Sequence, residues 1–205
     1  MASTSSPYGL RPVNLLGGQP FAGSTRLYPI ASAYATAIQN GDAVKMVTTG
    51  SGRGTIERFN GTTTATTATT QVTLVGVFVG VSYTDPVLGP TFRQNYTGGI
   101  VASDLQAYVV DDPDALFQIQ ADGALTNVAR GTNAALIQTV AGSTGQNTVS
   151  GVGLQASSVA DTATLPLRIV DFVIGPNSAI GDAKTDVIVR INTHFHRTTT
   201  GVAAS

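Results

Sequence analysis

The sequence predicts an all-β fold, a compact β-barrel or β-sandwich body with an extended N-terminal arm and long Thr/Gly/Ser-rich loops. Charged residues make up only 11% of the chain against 42% hydrophobic, whereas ordinary soluble domains carry about a quarter charged residues. Glu57 is the only glutamate and Lys45 and Lys184 are the only lysines, so the residues that normally surface exposed helices are missing. Abundant Val, Thr and Gly in short runs between turn residues favour strands instead. At 205 residues the chain can bury roughly 70% of the area its unfolded form exposes. No fixed-period repeat and no second domain boundary is visible.

Residues 1–25 carry Pro7, Pro12 and Pro20 around scattered apolar side chains. Proline at this spacing blocks helix and interrupts ladders, while Tyr8, Leu10 and Phe21 still need burial. An extended arm lying over another surface satisfies both, with residues 26–205 as a single β-rich domain. Asn40-Gly41 and Asn60-Gly61 supply left-handed turn positions flanking strands over 43–48 and 55–59, a meander. The Thr-rich stretch 61–70 is too poor in apolar residues for a core strand and reads as an exposed loop or edge.

The run QVTLVGVFVGVSY, residues 71–83, is apolar on both faces. Val75, Val77, Val79 and Val81 fall on one side, Val72, Leu74 and Phe78 on the other, so this strand should be covered twice and lie at the centre of the fold. Gly76 and Gly80 imply a close backbone approach or a curve. Shorter strands follow over 92–96, 106–110, 116–121 and 134–139, then a Gly/Ser-rich connection over 141–153 and a single helical turn near 157–162. The last two strands lie within 165–175 and 185–196. In the second, Val187, Val189, Ile191, Thr193 and Phe195 share one face, and Asp186, Arg190, Asn192, His194 and His196 share a wet one.

A net charge of -1 gives no electrostatic reason to expect nucleic acid or an anionic membrane as partner. With no cysteine there is no disulfide, thiol nucleophile or thiolate metal site. The N-terminus has neither a basic nor an apolar targeting run, and no segment approaches the roughly 18 apolar residues of a membrane span. An intracellular product or a particle component is expected.

Asp111, Asp112 and Asp114, with Asp122 further on, form the densest acidic group. Calcium loops need a glycine at the sixth position and a glutamate at the twelfth; both are missing and Pro113 interrupts. Asp-Pro-Asp between strand-like segments reads as a structural turn, and Asp122-Gly123 as another. His194 and His196 are the only histidines. They could clamp a metal, but no third histidine or cysteine completes a zinc site, so two exposed imidazoles on a polar face is the plainer reading. No Gly-x-Ser-x-Gly elbow is present, and Gly50-Ser-Gly-Arg-Gly54 lacks the lysine of a phosphate loop. No catalytic, cofactor or metal residue is assigned, no cofactor or small-molecule substrate is expected, and the protein is read as a non-enzyme.

The blocks SPYGLRPVNLLGGQPFAGSTR near the start, VGVFVGVSYTDP from Val75, AYVVDDPDALFQIQADGAL from Ala107 and LPLRIVDFVIGPNSAIGDAKTDVIVRIN from Leu165 together resemble capsid decoration, or cement, proteins of tailed bacteriophages. That resemblance implies a β-rich subunit, commonly a homotrimer, on the outer surface of the virion head at local three-fold positions, where it ties major capsid protein subunits together. Tyr8, Leu10, Arg11 and Phe21 are then the expected capsid or subunit contacts. The alternative is a β-sandwich adhesion or carbohydrate-binding module; the absence of Trp and 6% aromatic content weigh against its sugar-stacking platforms.

Overall fold

The structure is a computed structural model describing residues 5–59, 74–138 and 149–197. The Asn60-Gly61 turn, the Thr-rich stretch, the start of the long apolar strand and residues 139–148, which include the last residue of the strand expected over 134–139 and most of the Gly/Ser-rich connection, lie outside the described residues. The strands are β1 Arg11–Leu15, β2 Arg26–Pro29, β3 Ala43–Met46, β4 Ile56–Arg58, β5 Leu74–Asp85, β6 Gly89–Arg93, β7 Gln106–Val110, β8 Ala115–Gln120, β9 Asn133–Ile137, β10 Gly153–Ala160, β11 Leu167–Phe172 and β12 Asp186–Ile191. Among the described residues the only helical pieces are the 3-10 turns Asn127–Ala129 and Phe195–Arg197.

Two six-stranded antiparallel sheets face each other in a sandwich-like body, not a closed barrel. The first has the order β1-β8-β12-β11-β9-β10; the second runs β2-β7-β5-β3-β4, with β6 also paired to β5. Alternation places their side chains. In β8 and β12, Phe117, Ile119, Val187, Val189 and Ile191 enter the space between the sheets and meet Leu74, Val77 and Val110 of the second sheet. Gln118, Asp186 and Arg190 point the other way, as a period of two requires.

The second sheet carries another apolar layer on its far face. Tyr28, Val75, Phe78, Val81 and Val109 pack there under Ile30, Ile38, Tyr96 and Leu105. The double cover expected for β5 is thus supplied by neighbouring segments of the same chain. Its face assignment is corrected, however: Val75 and Val81 belong to the far layer, while Val77 and Val79 face the inter-sheet core. Two register shifts cause this, one between Val44 and Lys45 opposite β5 and one between Phe78 and Gly80. Each inserts an extra residue and inverts the side-chain sequence beyond it.

Gly76 and Gly80 mark close approaches. A Cβ on Gly76 would lie 2.1 Å from the Val110 carbonyl oxygen, and one on Gly80 2.7 Å from the Phe92 ring. Backbone cannot yield as a flexible side-chain end can, so Gly76→Ala is expected to cost about 2 kcal/mol of stability by overpacking. Urea unfolding of the variant measures this; a loss within error of zero would mean that β5 and β7 move apart freely.

The expected N-terminal arm is also corrected. Residues 11–15 are an edge strand of the first sheet, paired with β8, and Leu10 is 1% exposed. The Leu10 amide donates to the Gly41 carbonyl at 2.9 Å, and the Ser6 amide to Gln120 Oε1 at 2.8 Å. Pro12 is tolerated because edge strands need only one side of their ladder, and the register shifts just after it, between Pro12 and Asn14. The helical turn expected over 157–162 is likewise replaced by β10, whose pairing with β9 shifts between Gln155 and Ala160.

One polar knot lies inside this body. Asp42 and Arg58 are 1% and 2% exposed, with Arg58 Nε 2.9 Å from Asp42 Oδ2. The same oxygen accepts the Gln39 amide at 2.9 Å, and Asp42 Oδ1 accepts the Ser150 hydroxyl at 2.6 Å. The turn that presents Asp42 uses Gly41 at φ 95°, a left-handed conformation that glycine adopts without steric cost. The Asn-Gly turn expected here is present, although it docks against β5 and Leu10 and does not close a hairpin.

Candidate functional site

Chemistry-bearing side chains gather where the two sheets meet near the end of β12. Asp111 begins the crossover from β7 in the second sheet to β8 in the first. Within that crossover Asp112 Oδ1 accepts the Asp114 amide at 2.8 Å, and the Ala115 amide donates to the Asp112 carbonyl at 3.1 Å. The acidic group is a turn, as its Asp-Pro-Asp chemistry implies. It is more than a turn, because the fold brings Tyr28, Arg26 and His196 to it.

Asp111 Oδ2 accepts the Tyr28 hydroxyl at 2.7 Å and lies 3.1 Å from Arg26 Nε and 3.4 Å from His196 Nε2. The Tyr28 oxygen is also 2.9 Å from His196 Nε2. Tyr28 has one proton and gives it to Asp111, so the imidazole supplies the proton of the second contact and carries it on Nε2. Burial, followed by the hydrogen bond to Asp111, pushes the Tyr28 phenol up to about 12. A phenol held protonated in this way clasps the sheets.

His194 departs from the exposed position expected for it. Strand β12 ends at Ile191, the chain turns, and His194 is 1% exposed beside Leu74, with which it forms a bridge. Its Nδ1 accepts the His196 amide at 3.1 Å, so the neutral ring carries its proton on Nε2, and that nitrogen is buried with no hydrogen-bond partner among the described residues. Burial first, then the neighbouring His196, lowers its pKa to about 4. Among the described residues no three His, Asp or Glu side chains are placed to hold a metal ion. The proximity of positions 28, 111 and 196 follows from sheet topology and left no local signal in the sequence.

The four expected contact residues divide by accessibility. Leu10 is core, and Phe21 is half-buried against the same cluster. Tyr8 is half-buried, with the Arg11 guanidinium 4.2 Å from its ring centroid; burial, then the Asp186 carboxylate, raises its pKa. Arg11 alone is exposed. Leu10 is therefore removed from the expected partner contacts, since the protein's own core occupies it.

An apolar surface lies elsewhere, at the end of the second sheet. Leu27 on β2 faces Tyr108 on β7 in register, and the Phe92 ring on β6 meets the Tyr108 ring edge-on at 5.4 Å and 74°. These three continue the face that opposes the first sheet, because Tyr28, Val109, Val81 and Tyr83 beside them point to the far layer. Among the described residues no opposing sheet covers them: Leu27 is 50% and Phe92 60% exposed, and Val87 and Leu88 project from the adjoining β5–β6 turn. Gly80 provides the flat floor on which Phe92 rests. Reading along the chain missed this ladder because its members are single apolar residues in three separate segments.

No family model, no curated protein and no solved structure matches the chain.

Proposed function

We propose that the protein is a structural, non-catalytic component of a tailed-bacteriophage virion that binds the outer surface of the head as a homotrimer at local three-fold positions and stabilises the lattice of major capsid protein. Beside the resemblance of its sequence blocks to cement proteins, one observation carries this reading: the uncovered ladder of Leu27, Tyr108 and Phe92 with the Val87-Leu88 tip. Exposed apolar groups on a rigid, charge-poor β-body are what a permanent protein contact requires, since interface cores are depleted of charge and enriched in aromatic residues. Binding to the expanded lattice would stabilise it by mass action, and three copies around one axis would add avidity.

Deletion of residues 1–25 does not isolate this role, because it would remove β1 and Leu10 from the body. The suitable variant is Phe92→Asp, which places a charge in the ladder and leaves both cores intact. Purified protein co-sedimented with expanded heads lacking it should bind saturably, one trimer per local three-fold position, and unexpanded procapsids should not bind. Phe92→Asp is expected to weaken binding at least about tenfold with an unchanged melting temperature. Absence of binding to either particle would overturn the reading.

A further inference from the structure

The outward face of the first sheet carries an unusual pairing. Arg190 on β12 stands directly opposite Arg168 on β11. Both point away from the inter-sheet core, since Leu167, Ile169, Val189 and Ile191 on either side of them point into it. Directly opposed residues have Cβ atoms about 5 Å apart, and like charges there destabilise a sheet. The same row continues through Leu116, opposite Arg190, to Asn14 on β1, and on the other side through Asn133.

The remaining charges on this part of the face do not balance the pair. Arg168 Nε donates to the neutral Asn133 Oδ1 at 3.0 Å. Arg197, on the turn after β12, is ion-paired with Asp114, which uses the acidic group nearest Arg190. Asp171 is held by Arg130 at 2.8 Å. Arg190 itself is half-buried, with no ion pair or hydrogen bond among the described residues. Burial, then Arg197 and Arg168, lowers its pKa, with Asp114 opposing. Three of the chain's nine arginines thus converge on one end of a sheet in a molecule otherwise poor in charge. Natural sequences break a local rule of this kind chiefly at functional sites.

We infer that Arg168, Arg190 and Arg197 form a carboxylate-binding subsite that receives an acidic side chain presented by a partner protein. Guanidinium forks match oxyanions bidentately, and two features select an acidic protein over other anions. The arginines are interleaved with Leu116 and Ile188 on the same face, and arginine beside aliphatic groups is the composition of a protein interface core. Asp114, Asp171 and Asp186 border the group, so there is no continuous cationic track for nucleic acid. A free anion on an open sheet face would have only the arginines to hold it, whereas a docked side chain is also held by the surface that carries it. This subsite does not depend on the head-binding reading.

The test is NMR of the arginine Nε–H groups in the full chain, titrated at constant ionic strength with a hexaglutamate peptide and separately with inorganic phosphate. The peptide should shift the signals of Arg168, Arg190 and Arg197 saturably, and Arg190→Gln should weaken its binding about tenfold. That variant removes one of two opposed like charges, so its melting temperature should be unchanged or higher. Equal, unsaturable shifts across all nine arginines, no response, or saturation by phosphate alone would each overturn the subsite. A lower melting temperature in Arg190→Gln with peptide binding retained would do the same, by placing Arg190 in the fold.

Discussion

Asp42→Ala is expected to lower the unfolding free energy by about 4 kcal/mol, a large part of what a domain of this kind possesses. The carboxylate lies at the meeting point of segments far apart in sequence: the Gln39 amide, the Arg58 guanidinium on β4 and the Ser150 hydroxyl all donate to it. Its own carbonyl accepts the Phe78 amide from β5. Removing it leaves the Arg58 charge, 2% exposed, without its carboxylate, and a buried donor deprived of its acceptor bears its desolvation cost in full. A double variant separates that cost from the value of the pair. Asp42→Leu with Arg58→Met removes both charges, and a buried ion pair replaced by apolar groups is often neutral. The double variant should therefore lose less than Asp42→Ala, though not nothing, because Gln39 and Ser150 still lose their acceptor. Urea denaturation of the two variants beside the parent decides the matter. A double variant less stable than Asp42→Ala would show that the pair contributes net stability of its own.

Arg58 is two residues from Ile56 and so shares its face, and Ile56 is core; an arginine on the buried face of a strand requires a counter-charge nearby. What could not be read was the identity of that counter-charge, 16 positions away across a turn. The same division runs through the fold. Strands β8 and β12 were legible because their alternation matches a sheet with one dry face, and the double burial of β5 was legible because no polar residue interrupts either side from Leu74 to Val81. The bulges in β5 were not, because a bulge is a relation between two strands. Strand β1 was hidden by Pro12, which excludes a central strand and says nothing against an edge. Strand β10, LQASSVA after Gly153, lacks the β-branched runs that announce a strand and is held by pairing with β9. The apolar ladder of Leu27, Tyr108 and Phe92 and the opposed arginines share one cause of invisibility: each is assembled by cross-strand register, which is set by the core faces.

Stability is expected to fall by about 2 to 3 kcal/mol as pH is lowered from 6.5 to 4, and His194 is the cause. In the folded chain its pKa is about 4, against 6.5 for the solvent-exposed imidazole of an unstructured chain. A histidine whose folded pKa is depressed binds fewer protons folded than unfolded, so its contribution is complete above pH 6.5 and is lost as the unfolded chain takes up the proton. At 1.36 kcal/mol per pH unit the interval sets a ceiling of about 3 kcal/mol. The groups around the ring act in both directions: His196 and Arg197 oppose a second positive charge, while Asp111 and Asp112 favour it, and burial outweighs them. Protonation would also place a hydrogen on Nδ1, where the ring now accepts the His196 amide, so the charged form loses a hydrogen bond as well as its solvation. His194→Gln keeps a side-chain acceptor and does not titrate. Urea unfolding at half-unit pH steps should therefore give a steeper fall for the parent than for the variant between pH 6.5 and 4, with parallel curves above that range. Parallel curves throughout would assign the acid sensitivity to the carboxylates and leave His194 without a part in it.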